Sequence, residues 1–393
     1  MIKRDQYLDK LKSFKDKNVI KVVTGIRRCG KSTLFLLFQK YLKDNGIKDE
    51  NIVSVNLEDA DYRNIKTADQ LYENIENRLQ KDKTYVFVDE VQQVEDFQKA
   101  IDWLYVKENV DVYITGSNAN LLSGELATLL SGRYVEIKML PLSFKEYVSG
   151  FDSESYDELY KNYLTNSSFP GTLELSSKQD INMYLEGIYN TIIVKDVMTR
   201  KNMKNTAALD SLARFMYDNI GNICSSNKIA NTMTSVGRKI SVPTVEEYLS
   251  ALTESYVFYK ASRYDLKGKQ HLTTGSKYYA SDIGLRYFLL GSADVDMGRI
   301  LENIVYLELI RRGYEVYIGK VGKAEVDFVA KRDGITEYYQ VALSVLDKKT
   351  LERELNSLKN IKDHNQKILI TMDQLPVTTY DGVKQINAID WLL

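Results

Sequence analysis

Short apolar runs alternate with amphipathic segments through the first 150 residues of the chain. Five runs are rich in β-branched and aromatic residues, and several of the segments between them carry apolar residues at helical spacing. The runs are residues 19–23, 52–57, 85–88, 110–115 and 134–137. Because strands that alternate with helices usually pair in parallel, this pattern predicts a three-layer α/β domain over residues 1–150.

The pattern changes after this first domain and predicts three further segments. Residues 151–203 lack a strand pattern and predict a helical lid. Residues 204–282 follow the order helix, helix, helix and hairpin, which is typical of a winged helix-turn-helix. Residues 283–393 carry a helix, a hairpin, a helix and a strand, the order of an α/β restriction-endonuclease-like domain. The expected fold class is therefore α/β, with a P-loop-type three-layer parallel sheet core followed by a helical lid, a winged helix-turn-helix and an α/β restriction-endonuclease-like domain.

Composition narrows the class of protein. With 393 residues, 44% of them hydrophobic and 27% charged, the chain is expected to be a soluble globular protein of several domains. A formal net charge of -1 gives no overall attraction to nucleic acid or to a membrane. Two cysteines and two histidines exclude a disulfide framework and a Cys- or His-rich metal cluster. No apolar leader and no membrane-length apolar run occur, so we expect a cytoplasmic protein.

The loop after the first predicted strand has the pattern G-x-x-x-x-G-K-[ST] of a phosphate-binding P-loop. Its glycines let backbone N–H groups surround phosphates, and the helix that follows adds the partial positive charge of its N-terminus. We expect Lys31 to contact the β- and γ-phosphates of ATP and Ser32 to ligate Mg²⁺; the alternative is a glycine-rich turn with an unrelated lysine. The predicted nucleotide-binding residues are Gly25, Arg27, Arg28, Cys29, Gly30, Lys31, Ser32 and Thr33.

The third predicted strand ends in two carboxylates, Asp89 and Glu90. The carboxyl ends of parallel strands are where α/β sheets place ligand-binding groups. Asp89 is expected to hold Mg²⁺ through water, and Glu90 to orient and deprotonate the attacking water. The alternative is that the two acids only cap the next helix.

The next strands supply accessory candidates. Ser117 and Asn118 follow the fourth strand, where a polar residue can sense the γ-phosphate; a plain turn is the alternative. Arg133 precedes the fifth strand and could reach a γ-phosphate in cis, or in trans as an arginine finger. It could equally form a surface ion pair with Glu136.

Four sequence blocks resemble the prokaryotic AAA-14 / DUF4143 ATPases, which are relatives of archaeal-type, STAND-like P-loop AAA+ proteins. The blocks are Gly-Ile-Arg-Arg-Cys-Gly-Lys-Ser-Thr, Val-Asp-Glu-Val-Gln, Thr-Gly-Ser-Asn and Gly-Arg followed by Leu-Pro-Leu-Ser-Phe-Lys-Glu-Tyr. The resemblance implies that Lys31, Ser32, Asp89 and Glu90 form the hydrolytic set. It also implies a lid, a winged helix and a degenerate nuclease-like domain, with a DUF4143 region at roughly residues 190–350.

A basic segment in the predicted winged helix suggests a nucleic-acid partner. Residues 221–280 contain eight Lys or Arg and four Asp or Glu, a local net charge of 8 − 4 = +4. Phosphate contacts from such a patch would give salt-sensitive binding to duplex DNA. Because the third helix carries acidic residues, the wing is the better candidate, and a protein partner stays open. The DNA-binding candidates are Lys260, Arg263, Lys267, Lys269 and Lys277.

The C-terminal segment resembles a PD-(D/E)xK nuclease core that lacks an essential part. Such enzymes hold Mg²⁺ with two acids and place a lysine two residues after the second. Asp327 fits the first acid and Glu302 could assist, but the remaining element reads Gln340-Val341-Ala342. With a ligand charge and the lysine missing, a binding or regulatory platform is favoured over a nuclease.

Three functions follow from the sequence. The first is an ATP-hydrolysing switch that couples the ATP or ADP state to a module binding DNA or protein. The second is an ATP-gated DNA endonuclease, and the third is a nucleotide-binding adaptor with little turnover. An oligomer is expected if Arg133 acts in trans.

Overall fold

In a computed structural model the chain forms two compact units. The first unit comprises Met1–Pro141 and Glu254–Tyr256, and the second comprises Leu142–Thr253 and Val257–Leu393. The described residues are 2–119, 130, 132–152, 155–198, 205–268, 270–291, 296–322 and 324–393. Among them, no helix is long and apolar enough to cross a membrane.

The first unit is built on a sheet of five parallel strands. The strands are β1 (Ile20–Thr24), β2 (Ile52–Asn56), β3 (Thr84–Asp89), β4 (Val110–Gly116) and β5 (Tyr134–Lys138). The helices are α1 (Asp5–Phe14), α2 (Lys31–Asp44), α3 (Ala68–Glu76) and α4 (Phe97–Tyr105). The spatial order is β2-β3-β4-β1-β5, with each neighbouring pair parallel. The predicted α/β core is confirmed, because every residue of β1, β3 and β4 is buried, as in a sheet covered on both faces.

The second unit combines helices with a mixed sheet of eight strands. Its helices are α5 (Phe144–Val148), α6 (Tyr156–Asn166), α7 (Lys178–Asn190), α8 (Thr206–Asp218), α9 (Ser226–Ser235), α10 (Val242–Glu254), α11 (Ile283–Leu290), α12 (Met297–Arg311), α13 (Lys348–Lys359) and α14 (Ala388–Leu392), and α7 continues as a π-helix over Thr191–Met198. Its strands are β6 (Phe258–Asp265), β7 (Gln270–Ala280), β8 (Glu315–Val321), β9 (Ala324–Arg332), β10 (Ile335–Val341), β11 (Gln366–Thr371), β12 (Thr378–Tyr380) and β13 (Val383–Asn387).

The sheet of the second unit continues across the boundary that the sequence suggests at residue 282. The helices α8, α9 and α10 and the β6–β7 hairpin occur in the predicted order. However, β6 also pairs in parallel with β8, through Arg263 and Ile318, so the hairpin forms one end of the order β12-β13-β11-β10-β9-β8-β6-β7. The hairpin is thus held on one side by the C-terminal strands, unlike a free-standing wing.

A buried ion pair lies inside the first sheet, where the sequence pattern shows only an apolar strand. Lys21 of β1 is fully buried and pairs with Asp111 of β4. Asp111 also accepts hydrogen bonds from the Tyr113 hydroxyl at 2.8 Å and from the Asp16 N–H at 2.9 Å. Burial lowers the pKa of Lys21, against the opposing charge of Asp111. The pair is stable because each charge has a partner and Asp111 has further donors.

Removal of one partner of this ion pair should therefore lower the free energy of unfolding more than removal of both charges. We expect Lys21→Met to destabilise the first unit by about 3–5 kcal/mol, because it leaves the Asp111 carboxylate buried without its cation. The double variant Lys21→Met, Asp111→Asn should recover part of this loss, since an amide still accepts hydrogen bonds but carries no charge. Urea unfolding followed by circular dichroism measures both, and a double variant no more stable than the single one would contradict the prediction.

Candidate functional site

The P-loop joins the end of β1 to the start of α2, as the sequence predicts. Gly25 has φ +153°, and a Cβ atom there would lie 2.1 Å from the carbonyl oxygen of Met139. Gly30 caps α2 in the left-handed region, with φ +103°. Both glycines are thus required by the local backbone, and the loop leads directly into a helix N-terminus that can bind an anion.

The Lys31 side chain lies buried along this loop. Its ammonium group donates to the carbonyl of Gly25 at 3.1 Å and to that of Ile26 at 3.4 Å. It also lies 3.4 Å from the Glu90 carboxylate, and both side chains are almost fully buried. The Lys31 ammonium of the P-loop is therefore paired with the Glu90 carboxylate, directly after β3.

Asp89 and Glu90 are oriented by a residue that the sequence analysis did not identify, Thr115 of β4. The Thr115 hydroxyl donates to the Asp89 carboxylate and accepts the backbone N–H of Glu90 at 2.9 Å. Glu90 itself adopts the left-handed region, with φ +52°, so its side chain leaves the direction of the strand. The two acids therefore point differently although they are adjacent in sequence. The only sequence signal for Thr115 is its position just before the Gly-Ser-Asn turn.

Gln92 and Ser117 complete a polar network beside Glu90. The Gln92 amide donates to Glu90 and lies 3.3 Å from the Ser117 hydroxyl. Its carbonyl oxygen, Oε1, is buried and has no hydrogen-bond partner among the described residues. Ser117 and Asn118 are both buried directly after β4. The structure thus brings Ser117 together with the Glu90 network and leaves one acceptor available for a ligand or a water.

The two carboxyl groups have opposite pKa shifts. Burial raises the pKa of Asp89, as does the charge of Glu90, against hydrogen bonds from Ser32 and Thr115. Burial also acts to raise the pKa of Glu90, but Lys31, Arg27 and the Gln92 hydrogen bond outweigh it and place this pKa below its ordinary value. Glu90 is therefore an anion at neutral pH.

The other predicted P-loop residues divide into buried and exposed groups. Arg27 is buried and donates to Glu58 at 2.7 Å, whereas Arg28 is exposed and has φ +64°. Cys29 is a buried free thiol, and burial raises its pKa. Ser32 is exposed and Thr33 is half-buried at the start of α2. Arg28, Ser32 and Thr33 are thus accessible to a ligand, while Cys29 belongs to the packing beneath the loop.

A buried arginine near the N-terminus supports the loop from below. Arg4 donates to the carbonyl of Cys29 at 2.9 Å and to that of Leu140 at 2.6 Å. The Leu140 N–H in turn donates to the Tyr7 hydroxyl at 3.1 Å. Arg4 has no recognisable signal in the sequence, because it lies in a segment rich in charged residues.

Arg133 lies at the edge of the sheet opposite to the P-loop. Its carbonyl accepts from Ile20, the first residue of β1, whereas the P-loop follows the last residue of that strand. Five residues of strand separate the two edges by about 17 Å. Its guanidinium pairs with Asp102 at 2.5 Å, not with Glu136. The reading in cis and the pairing with Glu136 are therefore both corrected.

The residues at the P-loop fit a nucleotide with Mg²⁺. The cradle at Gly25 has no room for a side chain, and the Ser32 hydroxyl is hydrogen-bonded to Asp89. Among the described residues, no cluster of three or more His, Cys, Asp or Glu could hold a metal ion alone. A site for Mg²⁺ typically uses one or two protein groups together with phosphates and waters.

The fold and this site define a P-loop protein of the AAA ATPase class. Residues 17–148 match the AAA domain family. The fold is similar to that of a Walker-type ATPase of Pyrococcus abyssi, with a TM-score of 0.51 over 74% of this chain and 96% of that chain at 15% identity.

Similarity to two other proteins extends along the chain. An uncharacterized protein of Haemophilus influenzae is 42% identical over 100% of this chain and 99% of its own length. An uncharacterized protein of Methanocaldococcus jannaschii is 31% identical over 95% of this chain and 85% of its own length. The chain belongs to the family of these proteins.

The second unit contains a different family domain from the one the resemblance implied. Residues 157–296 match a domain of unknown function, DUF8612. The AAA part of the predicted resemblance is thus confirmed, whereas the DUF4143 part is not shown.

The five DNA-binding candidates of the hairpin do not share one surface. Lys260 and Lys267 are exposed and Arg263 is half-buried. Lys269 lies outside the described residues. Lys277 is buried, with only 5% of its surface accessible. Lys277 is therefore not placed to contact a phosphate on the surface.

Lys277 instead lies among the nuclease-like residues of the C-terminal sheet. Its ammonium is 2.9 Å from Glu302 and 2.8 Å from Glu325. The Tyr279 hydroxyl also donates to Glu302 at 2.6 Å. Burial and the neighbouring charge of Glu302 raise the pKa of Asp327 well above its ordinary value, with Lys277 opposing. A side-chain cation thus occupies the centre of this acidic cluster.

The third nuclease-like residue, Gln340, joins the cluster through hydrogen bonds. Its carbonyl accepts the Asp327 N–H at 3.3 Å, and its amide donates to Glu354 of α13 at 2.8 Å. The Asp327 carboxylate accepts the Val341 N–H at 2.8 Å. The structure therefore brings Glu302, Asp327 and Gln340 together, but as an internally bonded group.

Lys277→Met should destabilise the second unit in a pH-dependent way. At pH 7 we expect a loss of about 3 kcal/mol, because buried carboxylates lose their cation. Without Lys277 the folded-state pKa of Asp327, which is already raised, moves further above its unfolded value, because Lys277 is the charge that opposes the rise. A group with a raised folded-state pKa stabilises the fold at low pH, and this stabilisation is lost as pH rises. The loss in free energy of unfolding caused by Lys277→Met should therefore be smaller at pH 5 than at pH 8.

Lys260→Met, on the exposed face of the same hairpin, is the matched control and should change stability little. Urea unfolding across pH measures all three proteins. A deficit that stays constant between pH 5 and pH 8 would be inconsistent with the assigned role of Lys277.

Proposed function

We propose that the chain is an ATP-hydrolysing molecular switch that couples its nucleotide state to the second unit. The observation that carries this proposal is the network of Lys31, Glu90, Gln92 and Ser117 at the carboxyl edge of the parallel sheet. A P-loop lysine that contacts phosphates and a side chain that orients the attacking water are recurring parts of phosphoryl-transfer sites. AAA-domain and Walker-type ATPase similarity supports the same conclusion.

Each side chain of the network has a role in the proposed reaction. Lys31 exchanges its contacts with the P-loop carbonyls and Glu90 for the β- and γ-phosphates. Glu90, released from this cation, becomes a stronger base and takes a proton from the attacking water. Gln92 holds Glu90 through its amide, and its unpartnered Oε1 can accept a hydrogen from the same water. Catalysis is mostly positioning and electrostatics.

Ser32 and Asp89 would hold Mg²⁺, directly and through water respectively. When bound, Mg²⁺ neutralises charge on the β- and γ-phosphates. Thr115 orients Asp89 for this role through its hydroxyl. Ser117 and Asn118 would sense the γ-phosphate; the proposal is supported by their position after β4, which lies between β1 and β3 in the sheet.

Glu90→Gln should separate binding from hydrolysis. We expect phosphate release from ATP and Mg²⁺ to fall by about 10²–10⁴-fold, the usual contribution of a general base. ATP binding should be kept, because the amide leaves the P-loop intact, whereas Lys31→Ala should lose binding. A phosphate-release assay and titration with a fluorescent ATP analogue measure the two properties.

Glu95→Gln, an exposed neighbour with the same change of charge, is the control and should hydrolyse ATP as wild type does. Wild-type protein that binds ATP without measurable turnover would sink the catalytic assignment of Glu90. The chain would then be the nucleotide-binding adaptor.

The proposed coupling between the P-loop and the second unit starts at Thr24, the residue directly before the loop. Its hydroxyl donates to Glu136 at 2.7 Å, and the Tyr256 hydroxyl donates to the same carboxylate oxygen at 3.3 Å. Tyr256 belongs to Glu254–Tyr256, the short stretch that lies within the first unit. The chain on each side of this stretch, including α10 and β6, belongs mainly to the second unit. A change at the P-loop can therefore reach the second unit through a covalent connection.

The partner of the second unit is proposed to be duplex DNA, with Lys260, Arg263 and Lys267 as its phosphate contacts. Two of these residues are exposed and one is half-buried. Glu246 and Glu247 lie exposed on α10, so base readout by that helix is disfavoured. Cleavage of the DNA is not part of the proposal, because Lys277 fills the acidic cluster. Arg133, exposed at the other sheet edge, would serve only a neighbouring copy of the chain.

Tyr256→Phe tests the coupling without touching the nucleotide. Basal phosphate release should be unchanged, while the increase caused by duplex DNA should be lost. Such a loss corresponds to a coupling free energy of about 1–3 kcal/mol. Tyr156→Phe, on an exposed tyrosine of α6, is the control. Stimulation that survives Tyr256→Phe would exclude this route, and wild-type turnover indifferent to DNA would replace DNA by a protein partner.

A further inference from the structure

A groove of about 1140 Å³ lies on the sheet of the second unit, away from the acidic cluster. Its floor comes from β6, β9 and β10 through Tyr264, Lys331 and Tyr338. One wall comes from the last turn of α13 and the loop after it, through Asn356 and Lys362. Ligand pockets usually measure about 300–1,000 Å³, so the groove can take more than one small-molecule-sized group.

The floor of the groove carries an aromatic surface with a cation on it. The Lys331 ammonium lies 3.7 Å from the centre of the Tyr264 ring. Tyr317 and His271 lie beside Tyr264, with ring centres 5.9 Å and 5.2 Å away. Tyr264 lines the groove and is only half-buried. Such a ring can stack on a planar base, while the ammonium moves to an adjacent phosphate.

The charges that line the groove are mainly positive. Lys267, Lys331 and Lys362 have no ion-pair partner among the described residues, whereas the one lining carboxylate, Asp363, is already engaged. Asp363 accepts from the Tyr338 hydroxyl at 2.6 Å and lies 3.7 Å from Lys367. The C-terminal end of α13 adds a partial negative charge, which the three lysines exceed. The groove is therefore complementary to a polyanion.

The combination of stacking and charge selects among nucleic acids. A duplex keeps its bases stacked inside and presents only phosphates to a sheet surface, so Tyr264 would have nothing to stack on. A single strand offers both its bases and its phosphates. The amides of Asn356 and Asn365, both exposed at the groove, can hydrogen-bond to base edges.

We propose that this groove binds single-stranded nucleic acid, with a base stacked on Tyr264 and the backbone held by Lys267, Lys331 and Lys362. This gives the second unit a ligand site separate from the duplex contacts proposed for the hairpin, although Lys267 belongs to both. It does not depend on ATP turnover, so Lys31→Ala protein should bind a single strand as wild type does.

Fluorescence anisotropy of a labelled 12-nucleotide oligo-dT with the full chain tests the proposal. In the Lys31→Ala background, the single strand should bind more tightly than a duplex of the same length, and dTMP should bind far more weakly. Tyr264→Leu should weaken binding by roughly 10- to 100-fold, the range for loss of one base–aromatic stack, whereas Tyr264→Phe should retain it. Lys362→Gln should lower the slope of log affinity against log salt by about 0.7.

Lys161→Gln, an exposed lysine of α6 that does not line the groove, is the matched control and should leave affinity and salt slope unchanged. Because Lys362 is exposed, its variant tests the site even if Tyr264→Leu fails to fold. Equal affinity for the duplex, or a Lys362→Gln variant that behaves as wild type does, would overturn the proposal. Binding of dTMP as tight as that of the oligonucleotide would replace the strand by a free nucleotide.

Discussion

The contact between Lys31 and Glu90 is the interaction on which the first unit depends. Both charges are buried at the edge of a parallel sheet, where an unpaired charge would be strongly unfavourable. Lys31 is also held by loop carbonyls and Glu90 by the Gln92 amide, and these groups can be exchanged for other partners. A phosphate can therefore replace Glu90 as the partner of Lys31 without leaving either group unsatisfied. The same contact stabilises the P-loop and, in the proposed mechanism, positions Glu90 for its role as the base.

The second unit shows the opposite use of a buried lysine. Lys277 lies in the middle of β7, and its acidic partners come from α12 and β9, so regular backbone structure fixes the position of all three. Glu302 and Glu325 each form an ion pair with Lys277, and Glu302 also accepts a hydrogen bond from the Tyr279 hydroxyl. These carboxylates are already paired with a side-chain cation, and the rigidity of the group suits a scaffold. The two sites thus differ less in residue type than in how easily their ion pairs can be exchanged.

The apolar pattern was sufficient to predict the first sheet. The runs that form β1, β3 and β4 are mainly apolar and are buried along their whole length, as in a sheet covered on both faces, whereas β2 and β5 are only partly buried. The same pattern could not identify Lys21, because one charged residue inside such a run has no signal for its partner on β4, ninety residues later. The sequence pattern did not identify Arg4 and Thr115 for a related reason. Their roles are hydrogen bonds to groups that approach only in the folded state.

The local net charge of residues 221–280 also gave a wrong indication for Lys277, and the reason is physical. Lys277 contributes to the local net charge of residues 221–280, but its neighbours in space come from beyond residue 300. The hairpin that contains it looks like an independent wing in sequence, but the pairing of β6 with β8 joins it to the C-terminal sheet. A parallel pairing between segments about fifty residues apart leaves no local pattern, since register depends on the whole sheet.

A switch requires that a change at the phosphate site alter something distant, and the chain path provides a physical means. Thr24 is both the last residue of β1 and the neighbour of Gly25, so its hydroxyl reports the position of the P-loop. Glu136 receives this hydrogen bond together with that of Tyr256, whose backbone lies in the left-handed region, φ +57°. A non-glycine residue persists in that region only when its surroundings hold it there. If Glu136 moved, the Tyr256 backbone would relax, and the direction in which the chain enters β6 would change. Coupling between sites needs a discrete change of this kind.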